Sequence, residues 1–219
     1  MRVVVIGGHG RTGQLVVKQL VAKGNAVVAT IRNPKHMVDM VKLGAETVLL
    51  DLDKSPLSDF AVALKGADAV VFAAGSAEGE SSALDRKGTV RSLKAAEKAG
   101  VKRFVTISAL GDSTPIPDKW NTPEMKDYYK QKRAGSKAIR ASSLKWTILE
   151  PGELTEGRGT GKIAIATNGM DVGKIARADV AATVVAVLGN AKTAGKTFQI
   201  VGGKTEIGEA LGKALRKPT

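Results

Sequence analysis

A chain of 219 residues, 43% hydrophobic and 25% charged, is long enough to bury one core and too apolar to be disordered, so one domain spanning residues 1–219 is expected. Zero cysteines and only two histidines exclude disulfides, thiolate zinc sites and a cysteine nucleophile, and no metal centre is expected. The excess of 34 Lys and Arg over 21 Asp and Glu gives a formal charge of +13, which attracts polyanions at long range. The cations are scattered, however, without a helix-turn-helix or RNA-stacking motif, so nucleic acid is not the expected partner.

In chain order, strand-like and helix-like segments alternate. Arg2 to Ile6 is a continuous β-branched run, too short for a signal-peptide core. After a glycine-rich turn, Leu15, Val16, Gln19 and Leu20 recur at helical spacing until Gly24. Ala26 to Ile31 reads as a second strand, Pro34 to Leu43 as a helix closed by Gly44, and Glu46 to Leu50 as a third strand. A helix over Leu57 to Leu64, a strand over Ala69 to Ala73, a helix over Leu84 to Ala99 capped by Gly100, and a strand over Arg103 to Ile107 follow.

Pro115, Pro117 and Pro123 make 111–123 a long loop without regular structure, and loops of that length usually carry function. A helix from about Glu124 to Ala141 leads to a sixth strand, Trp146 to Leu149, ended by Pro151 and Gly152. Residues 152–173 read as loops around one small strand, before a helix from Asp179 to Leu188, a strand over Thr197 to Val201 and a terminal helix. Such alternation predicts an α/β fold, a Rossmann-type doubly wound parallel sheet in the order 3-2-1-4-5-6 with room for a seventh strand; residues 151–219 supply a small substrate-side region. No apolar run reaches the roughly 18 residues that cross a bilayer, so no membrane partner is expected. A cytoplasmic location is expected on the missing export signal alone.

The first βα turn, Gly7-Gly8-His9-Gly10-Arg11-Thr12-Gly13, carries the chemistry. Gly8, Gly10 and Gly13 fit G-x-G-x-x-G, and Gly7, Gly10 and Gly13 fit G-x-x-G-x-x-G. A strand that runs straight into such glycines and then into a helix makes a tight turn with bare backbone, facing a helix N-terminus whose N–H groups and dipole attract a diphosphate. In NAD-preferring domains an acid about 20 residues further on holds the ribose hydroxyls. Here Arg32 stands there, and no carboxylate occurs between Val27 and Lys35. With Arg11 and Lys35 nearby, NADP(H) is preferred over NAD(H), because guanidinium groups fork onto a phosphate.

The stretches VVVIGGHGRTGQLV, LLDLD, VVFAAGS, GVKRFVTISALGD, YYKQKRAGSKAIRASSLKWTILEPGEL and IARADVA together resemble the atypical short-chain dehydrogenase/reductases. Within that group the resemblance is to small NAD(P)-binding, NmrA-like and biliverdin-IXβ or flavin reductase-like proteins, and it covers nearly the whole chain. It implies that Asp51 and Leu52 lie beside the adenine, that Ala73, Ala74 and Gly75 pass under the cofactor, and that Pro151 and Gly152 close near the nicotinamide. Two residues depart from the pattern: His9, where the family usually has a smaller side chain, and Glu150, where relatives often have Arg.

Tyr128 and Lys132, four apart on a predicted helix, share one face. By resemblance to the short-chain dehydrogenases, such a Tyr gives a proton to a carbonyl, the Lys lowers the Tyr pKa, and a Ser, here Ser108, steadies the oxygen. Tyr129 is a rival for the proton donor. Trp120 is expected to pack the proline loop, Trp146 to be core, and Arg177 and Asp179 to form a structural ion pair. The expected function is an NADPH-dependent reductase of a small carbonyl, quinone, flavin or tetrapyrrole-like acceptor, working as a monomer or homodimer. The alternative is a non-catalytic NADP(H) sensor of the NmrA-like type. Sugar-nucleotide epimerases share the fold and the Tyr-x-x-x-Lys pair but normally have a longer substrate region.

Overall fold

The structure is a computed structural model that describes residues 1–75 and 83–216. Ser76, the last residue of the VVFAAGS stretch, lies outside the described residues. Six strands and their crossover helices follow the expected order: β1 Arg2–Ile6, α1 Arg11–Ala22, β2 Ala26–Ile31, α2 Met37–Lys42, β3 Glu46–Leu49, α3 Leu57–Leu64, β4 Ala69–Phe72, α4 Ala83–Lys98, β5 Arg103–Ile107, α5 Pro123–Arg140 and β6 Lys145–Pro151. After them come β7 Glu153–Thr155, β8 Lys162–Ala166, β9 Lys174–Ala176, α6 Arg177–Leu188, β10 Lys196–Gly202, β11 Thr205–Glu206 and α7 Ile207–Arg216. The main sheet runs β11-β8-β10-β6-β5-β4-β1-β2-β3, so the six-strand order is 3-2-1-4-5-6. The seventh parallel strand is β10, paired with β6, and the sheet then turns antiparallel through β8 and β11.

The strands are apolar throughout because helices cover both faces. Successive side chains of β1 point to opposite sides, which splits its residues between two cores. Val3 and Val5 pack with Val16, Val17 and Leu20 of α1 and Val180, Val184 and Val187 of α6. Val4 and Ile6 pack with Phe60 and Leu64 of α3, Ala96 of α4 and Ile139 of α5. Parallel pairing of β1 with both β2 and β4 brings the carboxyl ends of the three central strands to one edge, where ligands bind in such sheets.

Four expectations are corrected. The helix expected from Pro34 divides into a 3-10 turn at Pro34–His36, capped by the Asn33 side chain on the Lys35 N–H, and the short α2. The proline loop holds a 3-10 turn at Asp118–Trp120. Its last proline, Pro123, opens α5 at a first-turn position that needs no N–H, with Thr122 as the cap. Residues 152–173 contain two strands, β7 and β8; β7 pairs with β9 in a separate two-stranded parallel sheet. Segments of three residues are too short for a periodicity to show.

Candidate functional site

Each glycine of the first turn answers a different local demand. Gly7 has φ +80°, and a Cβ there would lie 2.8 Å from the Cα of Ala74. A Cβ on Gly8 would meet the Ala29 Cβ at 2.7 Å, and one on Gly13 would meet the Gly7 carbonyl oxygen at 2.2 Å. Gly10 closes the turn by donating its N–H to that same oxygen at 3.0 Å and caps α1 with extended backbone. Gly7, Gly8 and Gly13 are therefore sterically required, whereas a Cβ on Gly10 would meet only the Gly7 oxygen, at 3.2 Å. The Gly7 N–H donates to the Thr30 hydroxyl and the Gly8 N–H to the Thr30 carbonyl, which anchors the turn to β2.

No side chain caps α1 and no acid stands in its first turn. The N–H groups of Arg11, Thr12 and Gly13 have no carbonyl behind them in the helix and leave a partial positive charge at its head. A cleft of about 410 Å³ opens there, within the range of small-molecule sites. Gly7, His9, Gly10, Arg11, Thr12, Arg32, Asp51, Leu52, Ala73, Ala74 and Gly75 all line it. Gly8 and Gly13 shape the turn from behind. Pro151 and Gly152 are not among the lining residues: the buried Pro151 carbonyl accepts from the Leu110 N–H, and Gly152 packs against Gly173 and donates to Ile200. A bare cradle, an uncapped helix head and an apolar slot lined by Ile31, Leu50 and Leu52 fit a dinucleotide.

One lining residue, His36, had no signal in the sequence. His36 stacks on His9 with ring centroids 3.5 Å apart, and His9 Nε2 donates to Asp39 at 3.1 Å. Arg11 and Arg177 both donate to one oxygen of Glu156, at 3.0 and 2.7 Å. The expected ion pair of Arg177 with Asp179 is thus replaced. Asp179, buried, instead accepts from the N–H groups of Thr160 and Gly161. Asp51 spends one carboxylate oxygen on the N–H groups of Asp53 and Lys54 and so shapes the loop after β3.

At the Gly75 end of the cleft, Lys132 of α5 forms an ion pair with Asp85 of α4 at 2.8 Å, with side chains 11% and 1% exposed. A Cβ on Gly75 would lie 3.5 Å from Asp85 Oδ1 and 3.7 Å from Lys132 Nζ, so the pair borders the backbone that floors the cleft. Burial disfavours the ammonium, but Tyr128 and Asp85 outweigh it and push the Lys132 pKa above its ordinary value. The Lys132 nitrogen lies 5.5 Å from the Tyr128 ring centroid. Tyr129, the rival, is buried, its hydroxyl donates to the Leu110 carbonyl at 2.6 Å, and burial raises its pKa.

Ser108 does not stand alone beside the tyrosine. Its hydroxyl donates to Asp112 Oδ2 at 2.8 Å, and Ser136, one turn beyond Lys132 on α5, donates to the same atom at 2.5 Å. Arg133 grips the carbonyls of Gly111, Asp112 and Thr114 and fixes this loop to α5. Glu150 lies fully buried behind it, accepting from Ser113 and Gln199, with its carboxyl pushed up by burial. Trp120 is half-buried beneath the Lys119 ammonium, and Trp146 packs on the second core.

A doubly wound sheet with this turn at its first crossover defines a dinucleotide-binding protein. The chain belongs to the NAD(P)H-binding family whose model matches residues 7–191. It is 36% identical over 220 residues to the "Uncharacterized sugar epimerase YhfK" of Bacillus subtilis, covering 97% of this chain and all of that one. Among solved structures, a Bacillus halodurans protein assigned to the NAD-dependent epimerase/dehydratases superposes with a TM-score of 0.89 and 32% identity, over 97% of this chain and 99% of that one. The oxidoreductase ylbE of Lactococcus lactis superposes with a TM-score of 0.85 and 31% identity, over 99% and 98%. The resemblance to the atypical short-chain dehydrogenase/reductases holds. No helix among the described residues is long and apolar enough to cross a membrane.

Proposed function

We propose that the protein is an NADP(H)-dependent reductase of a small carbonyl, quinone, flavin or tetrapyrrole-like acceptor. The observation that carries this reading is the Lys132 ammonium, held by Asp85 beside Tyr128 and against the Gly75 end of the dinucleotide cleft. The bound nicotinamide supplies a hydride. The helix head and the residues of the glycine turn, which line the cleft, would hold the diphosphate, and Arg32 with Arg11 would face the ribose phosphate. Tyr128 gives its hydroxyl proton to the acceptor oxygen as that atom gains charge, and Lys132 steadies the resulting phenolate. Ser108, oriented by Asp112, is available to accept rather than donate a hydrogen bond. One relative carries the name of sugar epimerase, but the short segments between Pro151 and α6 leave little wall for a sugar nucleotide.

One observation favours a second reading, a non-catalytic NADP(H) sensor: Lys132 is neutralised by Asp85, and Ser108 spends its proton on Asp112. Turnover separates the two. A panel of quinones, flavins, biliverdin and small carbonyls with NADPH should show acceptor-dependent oxidation at 340 nm, lowered about 100-fold in Tyr128→Phe. Tight nucleotide binding with no turnover supports the sensor, and a Tyr128→Phe enzyme of unchanged rate removes Tyr128 from the chemistry. For the cofactor, Arg32→Asp should shift the binding ratio of NADPH to NADH toward NADH by at least about tenfold, the worth of one charge-assisted contact. An unchanged ratio ends the case for the phosphorylated form.

A further inference from the structure

Along the chain the basic residues are scattered and do not suggest nucleic acid, but the fold gathers them on one face. α3, α4 and α5 cover the side of the sheet that holds the second core, while α1, α2, α6 and α7 cover the other. α4 and α5 together carry eleven Lys and Arg against four Asp and Glu, a net +7 of the chain's +13, and α3 adds only Asp59. The four helices opposite carry six cations and three acids, a net +3. Spacing then orders the cations. Lys126, Lys130, Arg133, Lys137 and Arg140 recur every three or four residues of α5 and all are exposed, so they form one outward row about 21 Å long. Lys87, Arg91, Lys94 and Lys98 form a second row on α4. The helices lie close, since a Cβ on Gly135 of α5 would meet Thr89 of α4 at 3.4 Å. Packed helices stand about 8–10 Å apart, and the two rows run side by side at about that separation.

Part of this charge is committed within the protein. Lys87 pairs with Asp53, Arg91 and Arg133 donate to loop carbonyls, Arg140 lies 3.7 Å from Glu150, and Lys132 is buried with Asp85. The other acids of the two helices are Glu97, which accepts from Ser143, and Glu124 and Asp127 near the start of α5. Five exposed lysines, Lys94, Lys98, Lys126, Lys130 and Lys137, supply the rest of the rows. Among the described residues no large hydrophobic side chain of α4 or α5 is exposed, and Tyr128 and Tyr129 are half-buried and buried. A protein partner docks on an apolar centre, a single strand stacks its bases on aromatic rings, and a membrane-surface helix inserts an apolar side; this face has none of these. A second copy would present the same positive charge and be repelled.

We propose that the α4/α5 face binds double-stranded nucleic acid through its phosphates, without reading the sequence. The two backbones of a duplex flank grooves about 6 Å and about 12 Å wide, which bracket the separation of the rows. At about 3.4 Å per nucleotide, a row of about 21 Å follows roughly six phosphates of one strand. The dinucleotide cleft opens at the carboxyl edge of the sheet, and the proposal does not depend on what it binds.

The test is fluorescence anisotropy of a labelled DNA duplex of about 20 base pairs with the full chain, between about 50 and about 200 mM salt. Five phosphate contacts give a slope of log affinity on log salt near about −4.5, so affinity should fall roughly 500-fold over that range. Lys130→Glu with Lys137→Glu should weaken binding at least about 30-fold and flatten the slope by about 2. Lys18→Glu with Lys42→Glu changes the net charge equally on the opposite face and should weaken binding no more than about threefold. Equal losses in the two variants overturn the proposal, because binding would then follow net charge rather than this face. A slope shallower than about −2 overturns it too, as does a single strand bound as tightly as the duplex. Capture by phosphatidylserine vesicles with no binding of the duplex overturns it in favour of a membrane surface. Far-UV circular dichroism reports folding; should the first variant not fold, Lys94→Gln with Lys98→Gln on α4 replaces it, with an expected loss of about tenfold.

Discussion

Tyr128 and Tyr129 are adjacent in sequence and differ in everything that matters to chemistry. A helix turns its side chains by about 100° per residue, so one tyrosine stays half-buried beside Lys132 while the other points inward and ties α5 to the Leu110 carbonyl. The two rings still touch, edge to face at 5.4 Å. Tyr129→Phe leaves a buried carbonyl without its donor and should lower stability by about 1–2 kcal/mol in urea denaturation. Nucleotide binding should persist. A loss of binding without a loss of stability would place Tyr129 in the site after all. The sequence showed the four-residue spacing of Tyr128 and Lys132 but not the acid that pairs with Lys132, because Asp85 lies on another helix and no spacing connects the two.

Among the elements, the joint between the first turn and α1 is the least forgiving. Gly13 belongs to the helix, yet a Cβ on it would sit 2.2 Å from the Gly7 oxygen, a backbone atom that cannot swing aside. Gly13→Ala must therefore push the helix head away from the strand, at a cost of about 1–3 kcal/mol. It should also abolish the rise in melting temperature that saturating NADPH gives the wild type. A normal thermal shift in that variant would mean that the helix head does not hold the diphosphate. At the opposite, amino-terminal edge of the sheet, Arg103 joins β5, β6, α6 and the turn at Thr193 through hydrogen bonds to Lys145, Thr147, Val187 and Thr193. Burial draws its pKa down to about 10, still far above neutrality, so the guanidinium remains charged where it knits these elements. The helices were legible where an apolar stripe ran for three turns. The short strands β7 and β9 were not, because they exist only through pairing with each other.

At the scale of the molecule, Glu150 couples pH to the fold. It lies in β6, accepts from Gln199 of β10 and from Ser113 of the loop after β5, and sits 3.7 Å from Arg140 of α5. Burial raises its pKa above the ordinary carboxylate value, so the folded chain binds this proton more tightly than the unfolded chain does. The stability it contributes is full below the unfolded pKa and is lost as pH rises through the folded one. Glu150→Gln, nearly isosteric and unable to titrate, should gain stability over the wild type as pH is raised from 5 to 8, read as a growing difference in urea midpoint. A constant difference would show that Glu150 does not hold its proton in the fold.

What the sequence by itself determined was everything that local backbone constraint and periodicity enforce: the glycine turn, the βα alternation, the parallel order of the central sheet and the missing acid after β2. These features act over a few residues or repeat along one element, and they leave a pattern in the chain. Only the tertiary structure decided which charges meet. Arg11 finds Glu156 at a separation of 145 residues, His9 finds His36, and Lys132 finds Asp85. Side-chain partnership is set by which element ends converge at the sheet edge, and convergence in space has no period along the chain. The residues that tune this site therefore became visible only once the sheet had gathered them.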